Sequence, residues 1–142
     1  MRDSRDRPAA CVVCLESRMS KPEFKCEVVT RFLPEQSAPE QQSYAFAYTV
    51  TIRNTGNVAA QLIGRHWRIT DASGSTQEVR GLGVVGHQPL LQPGEQFEYT
   101  SWTRIAGPRG SMRGTYFCMT DAAESFEVPI AAFELTLGQA LH

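Results

Sequence analysis

The chain has 142 residues and a mass of 15.8 kDa, enough for one domain with a single buried core. Hydrophobic residues make up 42% and charged residues 20%, the usual balance of a soluble globular protein. The formal net charge of -1 gives no electrostatic case for nucleic acid or an anionic membrane, and no apolar run approaches the roughly 18 residues of a membrane span.

The N-terminus carries Arg2, Arg5 and Arg7 before a short apolar run, Ala9 to Leu15. As a secretion signal it reads poorly. Asp3 and Asp6 interrupt the basic region, and Glu16 and Arg18 stand where a small-residue cleavage site belongs. Met19 opens MSKPEFKCEV, which reads as a natural start, so residues 1–22 are expected to be a disordered extension and 23–142 the folded domain. Cys11-Val-Val-Cys14 lacks the second CxxC or HxxxH that structural zinc needs, and His66, His87 and His142 are scattered. No upstream strand can carry thioredoxin-like chemistry at this pair. No cofactor is expected. Cys26 and Cys118 fall in strand-like runs and read as reduced core thiols of a cytoplasmic protein.

From Phe24 onward the pattern alternates. Phe24 to Phe32 stops at Pro34, and Pro34 to Ser43 reads as an exposed loop. In YAFAYTVTI, Tyr44, Phe46, Tyr48, Val50 and Ile52 share one parity, the mark of a half-buried strand closed by the turn Asn54 to Asn57. Gln61 to Asp71 follows, with Ile63, Trp67 and Ile69 assigned to one face, and Thr76 to Arg80 pairs back across Asp71 to Gly74 as a hairpin. Gln96 to Thr103 and Ser111 to Met119 are further strands. Ser125 to Leu137 is the last, with an interruption expected at Pro129. About seven short strands, turns rich in Gly and Pro, and no helical period predict an all-β sandwich.

Gly81, Gly83 and Gly86 reproduce the Gly-x-Gly-x-x-Gly spacing of a dinucleotide fingerprint. That motif works only where the glycines lead a strand into a helix whose N-terminus faces the pyrophosphate. Here HQPLLQPGEQ follows, and Pro89 and Pro93-Gly94 forbid a useful helix. The glycines then serve a tight connector whose amides are candidates for an anion nest, with Arg65, Arg80, Arg104, Arg109 or Arg113 as candidate counter-charge.

GRHWRITDASG (Gly64 to Gly74), VRGLGVVGHQPLLQPGEQFEYTS (Val79 to Ser101), GSMRGTYF (Gly110 to Phe117) and FEVPIAAFELT (Phe126 to Thr136) together resemble the ApaG family, from about Phe24 to Leu137. Two departures stand out: Trp102, where the family more often has a small residue, and His87, where an acid is expected. The resemblance implies a fibronectin type III or immunoglobulin-like sandwich, a bacterial origin and a cytoplasmic home. Related domains in eukaryotic F-box and polymerase-interacting proteins imply protein–protein contact. Bacterial members are associated by name with cobalt and magnesium resistance or efflux, and by gene neighbourhood with diadenosine tetraphosphate hydrolysis. The family brings no agreed catalytic residues.

The polar residues themselves announce no chemistry. Arg65 shares parity with core positions and must snorkel, pair or stack. His66 and Ser101 lack the partners of a general base or nucleophile. Glu95, Glu98, Asp121, Glu124 and Glu127 lack metal-ligand spacing. Trp102, opposite in parity to Phe97 and Tyr99, is the exposed anchor a partner would use. The sequence therefore points to a non-enzymatic module for a protein partner, with Arg65, Gly81, Gly83, Gly86, His87 and Trp102 as candidate contacts. The alternative is a nucleotide, pyrophosphate or divalent-cation (Co²⁺/Mg²⁺) binder. A homodimer through paired edge strands is compatible with either.

Overall fold

A computed structural model describes residues 19–138 and the backbone of residues 140–141. Cys11, Cys14 and most of the predicted extension lie outside the described residues. Near the end of that predicted extension, the backbone N–H of Lys21 donates to Asn57 Oδ1 at 2.7 Å.

Among the described residues nine strands build two antiparallel sheets: β1 (Phe24–Phe32), β2 (Tyr44–Asn54), β3 (Ala60–Asp71), β4 (Thr76–Leu82), β5 (Leu90–Leu91), β6 (Gln96–Ile105), β7 (Gly110–Thr120), β8 (Ser125–Leu135) and β9 (Ala140–Leu141). One sheet runs β6-β2-β1-β9; the other runs β4-β3-β7-β8, with β5 added on β3. Three long strands thus face four, and the chain changes sheet after β2, β5, β6 and β8. This is the fibronectin type III-like arrangement. The loop from Pro34 to Ser43 holds two short 3-10 turns, Pro34–Gln36 and Pro39–Gln41.

The core follows the alternation. Phe46, Tyr48, Val50 and Ile52 point inward from β2, opposite Trp67, Ile69, Met112, Tyr116 and Phe133 of the other sheet. Trp67 is the hub. Its indole meets the rings of Tyr48, Tyr116 and Phe133 edge-on at centroid distances of 5.8, 5.8 and 5.9 Å. Cys26 and Cys118 are free thiols packed against or within this core, and burial pushes both up to about 12.

Two expectations fail, each at a β-bulge. Ile63 does not share the core face with Trp67 and Ile69. The pairing of β3 with β7 steps from Leu62–Cys118 to Gly64–Phe117, so Ile63 is an extra residue and Leu62 takes the buried place. In β8 the strand does not break at Pro129; it continues from Ser125 to Leu135 on the sheet edge, where a missing N–H is tolerated. The irregularity comes just after, between the pairs Gly114–Ile130 and Met112–Phe133. There one additional β8 residue lets both Ile130 and Phe133 point inward.

Candidate functional site

The bulge at Ile63 positions the glycine connector. Its carbonyl is turned to accept the N–H of Gly83 at 2.8 Å and the side-chain amide of Gln88 at 2.9 Å. Gly83 has φ +65, and a methyl group there would lie 2.4 Å from the His87 carbonyl oxygen. Only glycine fits. Val84 and His87 then exchange two backbone hydrogen bonds, 2.8 and 2.9 Å, around a two-residue turn in which Val85 (φ 49) and Gly86 (φ 80) are both left-handed. That is the type I′ pattern, common for Asn-Gly and unusual for a β-branched residue. No helix follows, and the chain passes instead into the short strand β5. The dinucleotide fingerprint is absent in structure as well as in context.

The amides of Gly83, Val84 and His87 are bonded within the fold. Val85 and Gly86 lack the right-handed/left-handed alternation of an anion nest. The connector therefore offers an anion few amides.

Of the five arginines considered from sequence, Arg65 is the one against the connector. Its Nη1 donates to the carbonyls of Leu82 and Gly83 at 3.1 and 2.9 Å. A methyl group on Gly81 would sit 2.8 Å from that nitrogen, so Gly81 makes room for the guanidinium. Arg65 thus neither pairs with a buried acid nor reaches bulk solvent fully; it caps two backbone oxygens that the end of β4 leaves open.

The connector next crosses toward the opposite sheet, where the His87 ring lies 5.6 Å from that of Phe97 on β6. It covers only part of the opening between the two edge strands, β4 and β6. The uncovered part is a cleft of about 480 Å³. Its floor is Trp67, Ile69, Tyr48 and Tyr99; one wall is Gln77 and Val79 of β4 with Val84 and Val85; the other is Ser101 to Arg104. Arg65 lies inside it. Trp102 is 55% exposed on the rim, with the Arg104 guanidinium 5.4 Å from its ring centroid. Arg104 also donates from Nη2 to the Gln36 carbonyl at 2.9 Å.

The hydroxyls below the cleft are spoken for. Tyr99 and Tyr116 share a short hydrogen bond, and Tyr48 faces Ser101 across the β2–β6 pair. Burial pushes all three phenols upward, so they are neutral at physiological pH. Trp67 Nε1 is buried and has no acceptor. None of the lining residues is an acid.

Elsewhere the polar residues explain one another. His66 Nε2 lies 2.8 Å from Glu78 Oε1 on the outer face, and this bond holds the Glu78 carboxyl below its usual range. Among the described residues no group of three or more His, Cys, Asp or Glu is placed to hold a metal ion.

The structure therefore gathers Arg65, Gly81, Gly83, His87 and Trp102 along one side of the sandwich, with Gly86 at the exposed tip of its turn. Sequence reasoning missed the contributions of Val85, Gln77 and Val79. The Val-Gly dipeptide was the available signal for a type I′ tip. The parity of Trp102 and Arg104 was the signal that they share a face.

A two-sheet sandwich with an open cleft between edge strands defines the class: a fibronectin type III-like β-sandwich domain. Comparison with known proteins places it further. The ApaG domain model matches residues 34–120. The ApaG protein of Ralstonia nicotianae is 60% identical over 124 residues, covering 87% of this chain and 100% of that one. The ApaG protein of Methylobacillus flagellatus is 58% identical over 119 residues, covering 84% and 94%. Among solved structures, a Bordetella pertussis protein named ApaA superposes with a TM-score of 0.80 at 57% identity, covering 82% of this chain and 94% of that one. The chain belongs to the ApaG family.

Proposed function

We propose that this ApaG-family protein is a non-enzymatic binding module, and that it receives a segment of a protein partner in the cleft between β4 and β6. The observation that carries this reading is the cleft itself. It combines an open sheet edge, an aromatic floor and two exposed apolar side chains on the rim, Trp102 at 55% and Val85 at 54%. Exposed tryptophans beside a pocket are the usual anchors of protein interfaces, because they desolvate a large area at little rotamer cost. The left-handed Val85 fits the same reading: backbone strain concentrates where a side chain must be presented.

The test is affinity capture from native lysate with the wild-type protein, Trp102→Ala and, on the outer face of the other sheet, Phe117→Ala. A partner retained by wild type and Phe117→Ala but lost with Trp102→Ala supports the reading. Identical partner sets for all three remove this face from consideration.

A further inference from the structure

The cleft is rich in donors and poor in acceptors, and that imbalance specifies its occupant. Arg65 brings a permanent positive charge into it, Arg104 adds a second at its rim on the outward side of β6, and no carboxylate lies among the lining residues. Each guanidinium uses one nitrogen on backbone carbonyls and has no ion-pair partner among the described residues, so several fork-shaped donors remain. A half-buried cation without a counter-ion is poorly solvated, and a carboxylate brought to it forms a stronger bond than the same pair would in water. Trp102 and Val85 meanwhile offer an apolar surface directly beside the charges.

Resting on the binding-module reading above, we infer that the partner segment is an extended acidic peptide, carrying an Asp or Glu beside a large apolar side chain. The carboxylate faces Arg65 and Arg104, and the apolar neighbour packs on Trp102 and Val85. An extended chain suits the site because the cleft runs along β6, an edge strand that among the described residues pairs with β2 alone. A short segment also fits the volume of about 480 Å³, which is too small for a helix.

The experiment is selection of random linear peptides on the full-length protein, followed by anisotropy measurements with individual peptides. Three changes then separate the terms: Arg104→Ala, Arg65→Lys, and Glu→Gln or Asp→Asn in the peptide. Arg104 lies on the surface, so its replacement leaves the fold intact even if Arg65→Lys loosens the connector. The expected result is enrichment of acidic peptides whose binding perturbs Trp102 fluorescence. It should weaken about tenfold on losing either Arg104 or the peptide carboxylate, and fall further as salt is raised. Peptides that bind the cleft without acidic enrichment, or that bind Arg104→Ala as tightly as wild type, overturn the acidic-peptide inference and leave the binding module standing. Failure to select any peptide, or selection of peptides that leave Trp102 unperturbed, overturns both.

Discussion

Replacing the motif glycines by alanine one at a time is expected to give graded losses of stability, set by what each new methyl group meets. At Gly86 (φ +80) nothing lies within 4 Å. The left-handed backbone then costs about 1–2 kcal/mol, offset by about 0.4–1 kcal/mol from a stiffer unfolded chain. At Gly83 the same backbone term applies, and the methyl lies 2.4 Å from the His87 oxygen that accepts the Val84 N–H. Relieving that overlap opens the bridge of two hydrogen bonds, about 0.5–1.5 kcal/mol each. The total is about 2–4 kcal/mol. At Gly81 the methyl meets the flexible end of Arg65, and the loss is about 1–2 kcal/mol as the guanidinium leaves two carbonyls. For a domain of this size each kcal/mol moves Tm by about 3–5 °C. Gly83→Ala should therefore melt roughly 6–20 °C below wild type by circular dichroism, and Gly86→Ala, with a net loss of about 0–1.6 kcal/mol, no more than roughly 8 °C below. In an Arg65→Met background the Gly81→Ala penalty should shrink, because its cause has been removed. Equal melting of Gly83→Ala and Gly86→Ala would refute the account of the connector as a tightly packed bridge.

Two further outcomes follow from buried polar groups. Asn54, 1% exposed, donates to the carbonyls of Val58 and Leu91 at 2.9 and 2.8 Å and accepts the Gly56 N–H at 2.9 Å. Asn54→Ala should lose about 2–4 kcal/mol in urea unfolding with an unchanged m-value; a loss within experimental error contradicts its role in joining the β2 turn to β5. The second concerns alkaline pH. Burial pushes Tyr99 and Tyr116 upward, and for Tyr116 the neighbouring Tyr99 adds to the effect. Their folded values lie above the unfolded value of about 10, so this contribution is fully present below about pH 10 and lost as pH rises beyond it. Tm should be flat through neutral pH and drop above about pH 10, with tyrosinate absorbance rising together with loss of the folded signal. Tyrosinate formation at these two sites in a still-folded protein, traced with Tyr99→Phe and Tyr116→Phe, would contradict it.

Much of this molecule was legible in one dimension. A period of two needs only the pleat to reveal it, so Tyr44 to Ile52 and Phe24 to Phe32 declare their inward faces without reference to any neighbour. Pro89 and Pro93-Gly94 veto a helix locally, so the failure of the dinucleotide reading was also legible. What eluded the sequence shares one cause: it depends on pairing across the sheet. Ile63 looks like a core residue until β7 imposes a register that makes it surplus, and the additional β8 residue near Pro129 is defined only against β7. A one-residue slip reverses every side chain beyond it, and no local pattern reports which residue has been skipped.

The site divides in the same way. Residue types and parity singled out Arg65, Trp102 and the three glycines as unusual. Only the tertiary structure put Arg65 under the connector, carried His87 across to Phe97, and left the stretch from Ser101 to Arg104 uncovered. The cleft is a gap between two edges far apart in the chain. Its existence depends on how far one loop reaches across a space about one sheet-packing distance wide, which alternation along a single strand cannot encode.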